Sequence, residues 1–185
     1  MDGGRLISFG GKGPKIDPAA FVAPGAILIG DIEVGPEASI WYNCVLRGDV
    51  NHIRIGARTN IQDGSVLHVD SPRPGKPAGL PTIIGDDVLI GHMAMVHGCI
   101  LHDRAFVGLG AIVMDGCEIE GGAMLAAGAL LTPGRRIPAG QLWAGRPAKH
   151  VRDLGEEELA GQQAGVAHYV ALAKLHAAAL KLPSP

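Results

Sequence analysis

The chain has 185 residues, enough for one domain with a sizeable core, and its 16 basic against 18 acidic residues leave it close to neutral. No basic run or interleaving of aromatic and basic residues suggests nucleic acid, and no stretch approaches the roughly 20 apolar residues of a membrane span. Twenty-eight glycines with aromatics at only 4% suit tight, repeated turns around a thin aliphatic core.

The first 15 residues, MDGGRLISFGGKGPK, contain no long apolar run. They read as an N-terminal extension without a signal peptide. Cys44, Cys99 and Cys117 are odd in number and far apart, which fits neither a disulfide framework nor a Cys-x-x-Cys site. They read as small buried residues of a protein kept in a reducing compartment, so the expected location is cytoplasmic.

From residue 16 a repeat sets in. Val22, Leu28, Val34, Ile40 and Leu46 are spaced six apart, as are Ile55, Ile61 and Leu67, then Ile84, Ile90 and Val96. The longest run is Val107, Val113, Ile119, Leu125, Leu131, Ile137 and Trp143. Gly follows the aliphatic residue at Val34-Gly35, Ile55-Gly56, Ile84-Gly85, Ile90-Gly91 and Val107-Gly108. A period of six is neither the 3.6 of a helix nor the 2 of a flat strand. It is the period of a hexapeptide-repeat β-helix, in which each hexapeptide makes one short strand and one corner. Three hexapeptides, about 18 residues, close a triangular coil, and stacked coils bury columns of aliphatic side chains. The expected fold is an all-β solenoid, a left-handed parallel β-helix over residues 16–152. Its hand is taken from hexapeptide-repeat proteins as a group.

The runs break between Leu46 and Ile55, Leu67 and Ile84, and Val96 and Val107, and polar residues adjoin each break. From Arg47 to His68 is 21 residues, one coil and three extra; from His68 to His97 is 29, one coil and eleven extra. The eleven fit an outward loop, DSPRPGKPAGLP, over residues 70–81. Arg47, His68 and His97 then stack in one column, about 4.8 Å apart per coil. His92 lies five residues before His97, nearly one triangle side away, with Gln62 beside it by the same counting. Three prisms around a three-fold axis would bring His68 and His97 of one chain against His92 of the next. Three imidazoles suit Zn2+, with Fe2+ or Co2+ as alternatives, and leave a coordination position for water. His52, His102, His150, His168 and His176 read as ordinary surface or core residues.

The Gly145-Arg146-Pro147-Ala148-Lys149 turn ends the repeat. Residues 153–182 read as a C-terminal helix packed back on the β-helix and able to cap its open end. Glu156, Glu157 and Glu158 suit the positive end of its dipole, and Val166, Tyr169, Val170, Ala173, Ala177 and Leu180 form an apolar stripe.

Arg47-Gly48-Asp49, Asn60-Ile61-Gln62-Asp63, His68 and Gly91-His92-Met93-Ala94-Met95-Val96-His97-Gly98 together resemble the motif set of the γ-class carbonic anhydrase-like family, over roughly residues 15 to 152. The resemblance implies a homotrimer with a metal shared between adjacent subunits, ligated by His68, His92 and His97. It implies reversible hydration of CO2, a small-molecule substrate, by a zinc-bound hydroxide. Gln62 would hydrogen-bond the bound water and Asn60 would orient the substrate. Arg47, Asp49 and Asp63 would form an ion-pair network, partly across the interface, and Tyr169 would reach the site from the helix. Relatives carry a glutamate after the Arg-x-Asp motif where this chain has Val50, and Asp70 is the sole acid of the loop after His68. A proton relay of that type is therefore missing. The alternatives are an acyl-CoA thioesterase-type hydrolase using the same metal, a non-catalytic binding protein, and an acyltransferase that needs one base histidine.

Overall fold

The computed structural model describes residues 3–181. Inward aliphatic residues stack in register from coil to coil, and this builds a left-handed parallel β-helix with one C-terminal helix. Three interior columns result. Ile40, Ile61, Ile90, Val107 and Leu125 pair in sequence along an eight-stranded sheet that forms one face. Leu28, Leu46, Leu67, Val96, Val113 and Leu131 form the second column. Val34, Ile55, Ile84, Leu101, Ile119 and Ile137 form the third. The second and third belong to a single twelve-stranded sheet, because the strands Ile27–Val34 and Val45–Ile55 run round the corner between two faces. Every member of the three columns is buried, and each contributes about 1.5–3 kcal/mol by leaving water. Cys44, Cys99 and Cys117 are buried, free thiols in this core. Burial pushes the Cys44 thiol up to about 11.

The glycines after the aliphatic residues have a steric reason. A Cβ on Gly56 would sit 2.4 Å from the carbonyl carbon of Gly85 on the next coil. Only a residue without a side chain lets the corners stack that closely.

The ends of the solenoid differ from the sequence expectation. The expected N-terminal extension is more than that over its described residues: Arg5–Ile7 and Lys15–Ile16 both pair in parallel with Ile27–Val34 and so add to the first coil. Their hydrophobic pattern is too short to show a period. At the other end Gln141–Gly145 and Ala148–Asp153 form an antiparallel hairpin that places Ala148 against the core. The helix therefore begins at Glu156, not 153, and runs to Ala179; residue 182 lies outside the described residues. Its start is fixed by Glu158, whose carboxylate accepts the Gly155 amide N–H at 3.1 Å and pairs with Arg152. Those two contacts hold the Glu158 carboxyl down at about 2. The helix does not cap the open end. It lies along the eight-stranded face, against Phe21 and Trp41. His176 packs edge-on to Trp41 at 5.0 Å, a core role. Among the described residues no helix is long and apolar enough to cross a membrane.

Candidate metal centre

Strands Val66–His68 and Met95–His97 are neighbours in register, with Leu67 beside Val96 in the core and His68 beside His97 outside. The alternation of a strand turns both imidazoles to the same outer surface. Their ring centroids are 5.0 Å apart, and His68 Nδ1 lies 3.0 Å from His97 Nε2. The far side of each ring is tied to a carboxylate. His68 Nε2–H donates to Asp49 Oδ1 at 3.0 Å, and His97 Nδ1–H donates to Asp115 Oδ1. A neutral imidazole has one N–H, and in both rings it is spent on an aspartate. The two facing nitrogens then present lone pairs to each other, an arrangement that a shared cation would satisfy. Carboxylate-backed histidines are the usual form of metal ligands, because the carboxylate fixes tautomer and ring orientation. Burial pushes His68 below the ordinary imidazole range, despite the opposing pull of Asp49, which favours the neutral, ligating form.

Around this pair Arg47 Nη1 donates to Asp49 Oδ2 at 2.5 Å. Burial raises the Asp49 carboxyl, but the hydrogen bonds from Arg47 and His68 outweigh it and hold the group below the usual range. Thr82 Oγ1 donates to the His68 carbonyl and accepts from the Gly98 amide, bracing the two strands.

His92 stands at the next corner, as the spacing predicts. Its Nδ1 lies 2.9 Å from Asp63 Oδ2, so it too has a carboxylate beside the ring. Among the described residues of one protomer, no three His, Cys, Asp or Glu side chains gather where a metal could sit. Within the protomer Asp63 is occupied with His92, and the Arg47–Asp49 pair stands apart from it. Gln62 and Asn60 are buried; Gln62 Nε2 donates to Asn60 Oδ1 at 3.2 Å. The Asn60 Nδ2 group is buried without a partner, an orphan donor of a kind that native interiors rarely keep. Tyr169 packs edge-on to Trp41 at 5.5 Å. Burial, then the Asp63 charge, raise its phenol above the ordinary value.

Asp115 was not legible as a motif, although it follows His97 by 18 residues, one full coil. Coil spacing applied to the acids as well as the histidines would have found it. Asp115→Ala should cost about 10–100-fold in metal affinity, in line with the loss of other ligand-orienting carboxylates. Competition with a chromogenic chelator measures this; unchanged affinity would remove Asp115 from the site.

No protein-family profile matches the chain. It is 48% identical over 173 residues to "Gamma carbonic anhydrase 2, mitochondrial" of Arabidopsis thaliana, covering 93% of this chain and 62% of that protein. The chain thus spans under two thirds of that plant relative. It is 47% identical to a "Probable carbonic anhydrase" of Methanocaldococcus jannaschii, covering 83% of this chain and 92% of that one. Among solved structures, a hexapeptide transferase family protein from Anaplasma phagocytophilum is 47% identical with a TM-score of 0.85, covering 92% of this chain and 96% of its own. With relatives this similar over most of this chain, one of them covered over 92% of its own length, the chain belongs to the gamma carbonic anhydrase family.

Proposed function

We propose that the protein is a metal-dependent carbonic anhydrase that acts as a homotrimer, with His68 and His97 of one chain and His92 of a neighbour holding Zn2+, or Fe2+ or Co2+, at each interface. One observation carries the reading: two facing imidazole nitrogens 3.0 Å apart whose opposite N–H groups are both committed to aspartates. A cation held there would lower the pKa of water to about 7, the chemistry that hydration of CO2 at neutral pH requires.

The protein residues do the rest. Asp49, Asp115 and Asp63 hold the three rings in one tautomer and one orientation. The unpartnered Asn60 N–H, locked by Gln62, is a preformed donor for the negative charge that develops on the substrate oxygens. Arg47 neutralises Asp49, which would otherwise attract the proton that His68 must not lose to it. Exposed Val66, Met93, Met95 and Met114 surround the histidines. An apolar surface of this kind beside a two-thirds-complete ligand set suits a second copy of the chain. The solved relative from Anaplasma phagocytophilum is described as a hexapeptide transferase family protein. Acyl transfer needs one base histidine, whereas three carboxylate-backed histidines suit a metal.

Metal analysis of the purified protein, its mass in solution, and stopped-flow CO2 hydration in several buffers test the reading together. The expected result is a trimer with one cation per chain and a hydration rate that disappears on chelation. A metal-free monomer would refute the shared site, and a loaded trimer no faster than buffer would refute the activity.

A further inference from the structure

We infer that His52 exports the proton released when water adds to CO2, through a cavity that it shares with Asp49; the inference rests on the carbonic anhydrase reading above. Each bicarbonate formed leaves one proton behind, and a base in contact with both the site and solvent must take it.

The geometry begins in the sequence. The three extra residues between Arg47 and His68 have to leave the coil somewhere, and the strand pairing shows where. Gly30 pairs with Gly48 and Ile32 with Ile53, so Asp49 through His52 stand opposite the single residue Asp31. The segment bulges from the corner between two faces. Its first residue, Asp49, is hydrogen-bonded to His68. Its last, His52, is partly exposed. Between them lies a cavity of about 250 Å³ lined by both, with Pro72 and Ala78 of the loop as its outer wall. Asn51 builds that wall. Its Nδ2 donates to the carbonyls of Asp70 at 3.2 Å and Ala78 at 2.8 Å, while its Oδ1 accepts the His52 amide at 2.9 Å. At about 30 Å³ per molecule, the space holds a file of several waters.

The other titratable groups facing His52 are engaged. Lys12 and Arg54 both pair with Asp31, at 2.7 and 2.8 Å, and Glu33 pairs with Lys15 at 3.0 Å. Asp49 is held by Arg47 and His68. Among the described residues the His52 ring has no side-chain partner, and it keeps a lone pair for a proton. Burial, then the Arg54 charge, push its pKa below the ordinary value, Lys12 adding to this and Asp31 and Glu33 opposing it. At neutral pH the ring is therefore uncharged. It accepts the proton, becomes imidazolium and passes the proton to a buffer base; nothing is oxidised or reduced.

His52→Ala and His52→Gln test this in the zinc-loaded trimer. Both should keep wild-type metal content and kcat/KM, and lose about tenfold in kcat at low buffer concentration. Added imidazole should restore kcat. A separate readout needs no turnover: in the Co2+-substituted protein, the His52 ring protons should be paramagnetically broadened, while those of His150 stay sharp. Sharp His52 signals, or variants equal to wild type at every buffer concentration, overturn the relay and leave the activity standing. A loaded wild type that hydrates no CO2 overturns the activity and the relay together.

Discussion

His92→Ala should strip the metal from every interface of the trimer. Each site takes one His92, so in a three-fold assembly a single substitution reaches all of them. His68 and His97 remain, still 3.0 Å apart and still backed by their aspartates, but two imidazoles are one protein ligand short of a catalytic zinc site. Spread over a tight site worth about 10–16 kcal/mol, one ligand accounts for about 4 kcal/mol, or roughly a thousandfold in affinity. CO2 hydration should fall at least as far, because the assay concentration no longer loads the protein. Metal content after dialysis and stopped-flow CO2 hydration measure both effects, and light scattering follows the trimer. The rival geometry is explicit. If a cation sat on His68 and His97 with Asp49 or Asp115 of the same chain, His92→Ala would leave a fully metallated, undisturbed trimer. Asp63→Ala is the graded companion, since it frees the His92 ring without deleting it, and should cost only about 10–100-fold.

Much of this centre was legible because a solenoid converts sequence distance into height. Once a coil is known to take about 18 residues, the 29 residues between His68 and His97 mean one coil plus a loop, and the two rings pair in register. The same arithmetic puts Gln62 beside Gly91, and the Gln62 amide does donate to the carbonyl of Ile90. What escaped has physical causes. Arg5–Ile7 and Lys15–Ile16 are edge strands with few buried positions, so no hydrophobic period marks them. The hairpin at Gln141–Asp153 pairs antiparallel after a run of parallel coils, and its outer strand is exposed beyond Ala148. The helix was placed by its glutamates, but its docking face was not. Its stripe meets Phe21 and Trp41, which come from two different coils. Asp115 stayed hidden because an acid in the turn between two strands looks like any solvated charge until the imidazole one coil away is known to need a partner.

Leu67→Ala should cost the fold about 3 kcal/mol, and lower the melting temperature by about 10 °C for a domain of this size. Leu67 is fully buried between Leu46 and Val96 in the second column. A solenoid stacks rigid coils, each held by its neighbours, so the lost volume persists as a cavity instead of collapsing. The neighbouring residue makes a sharper comparison. Val66 precedes Leu67 on the same short strand but points outward and is exposed in the protomer. Val66→Ala should leave the protomer's folding nearly unchanged. If the apolar stripe around the histidines is covered by a second chain, it should instead make the trimer dissociate at higher concentration. Thermal melts at fixed concentration report the first effect and a dilution series the second. Equal losses from both substitutions in a melt of the isolated protomer would mean that alternation does not govern this strand. His68 would then have no reason to face the surface on which His97 stands.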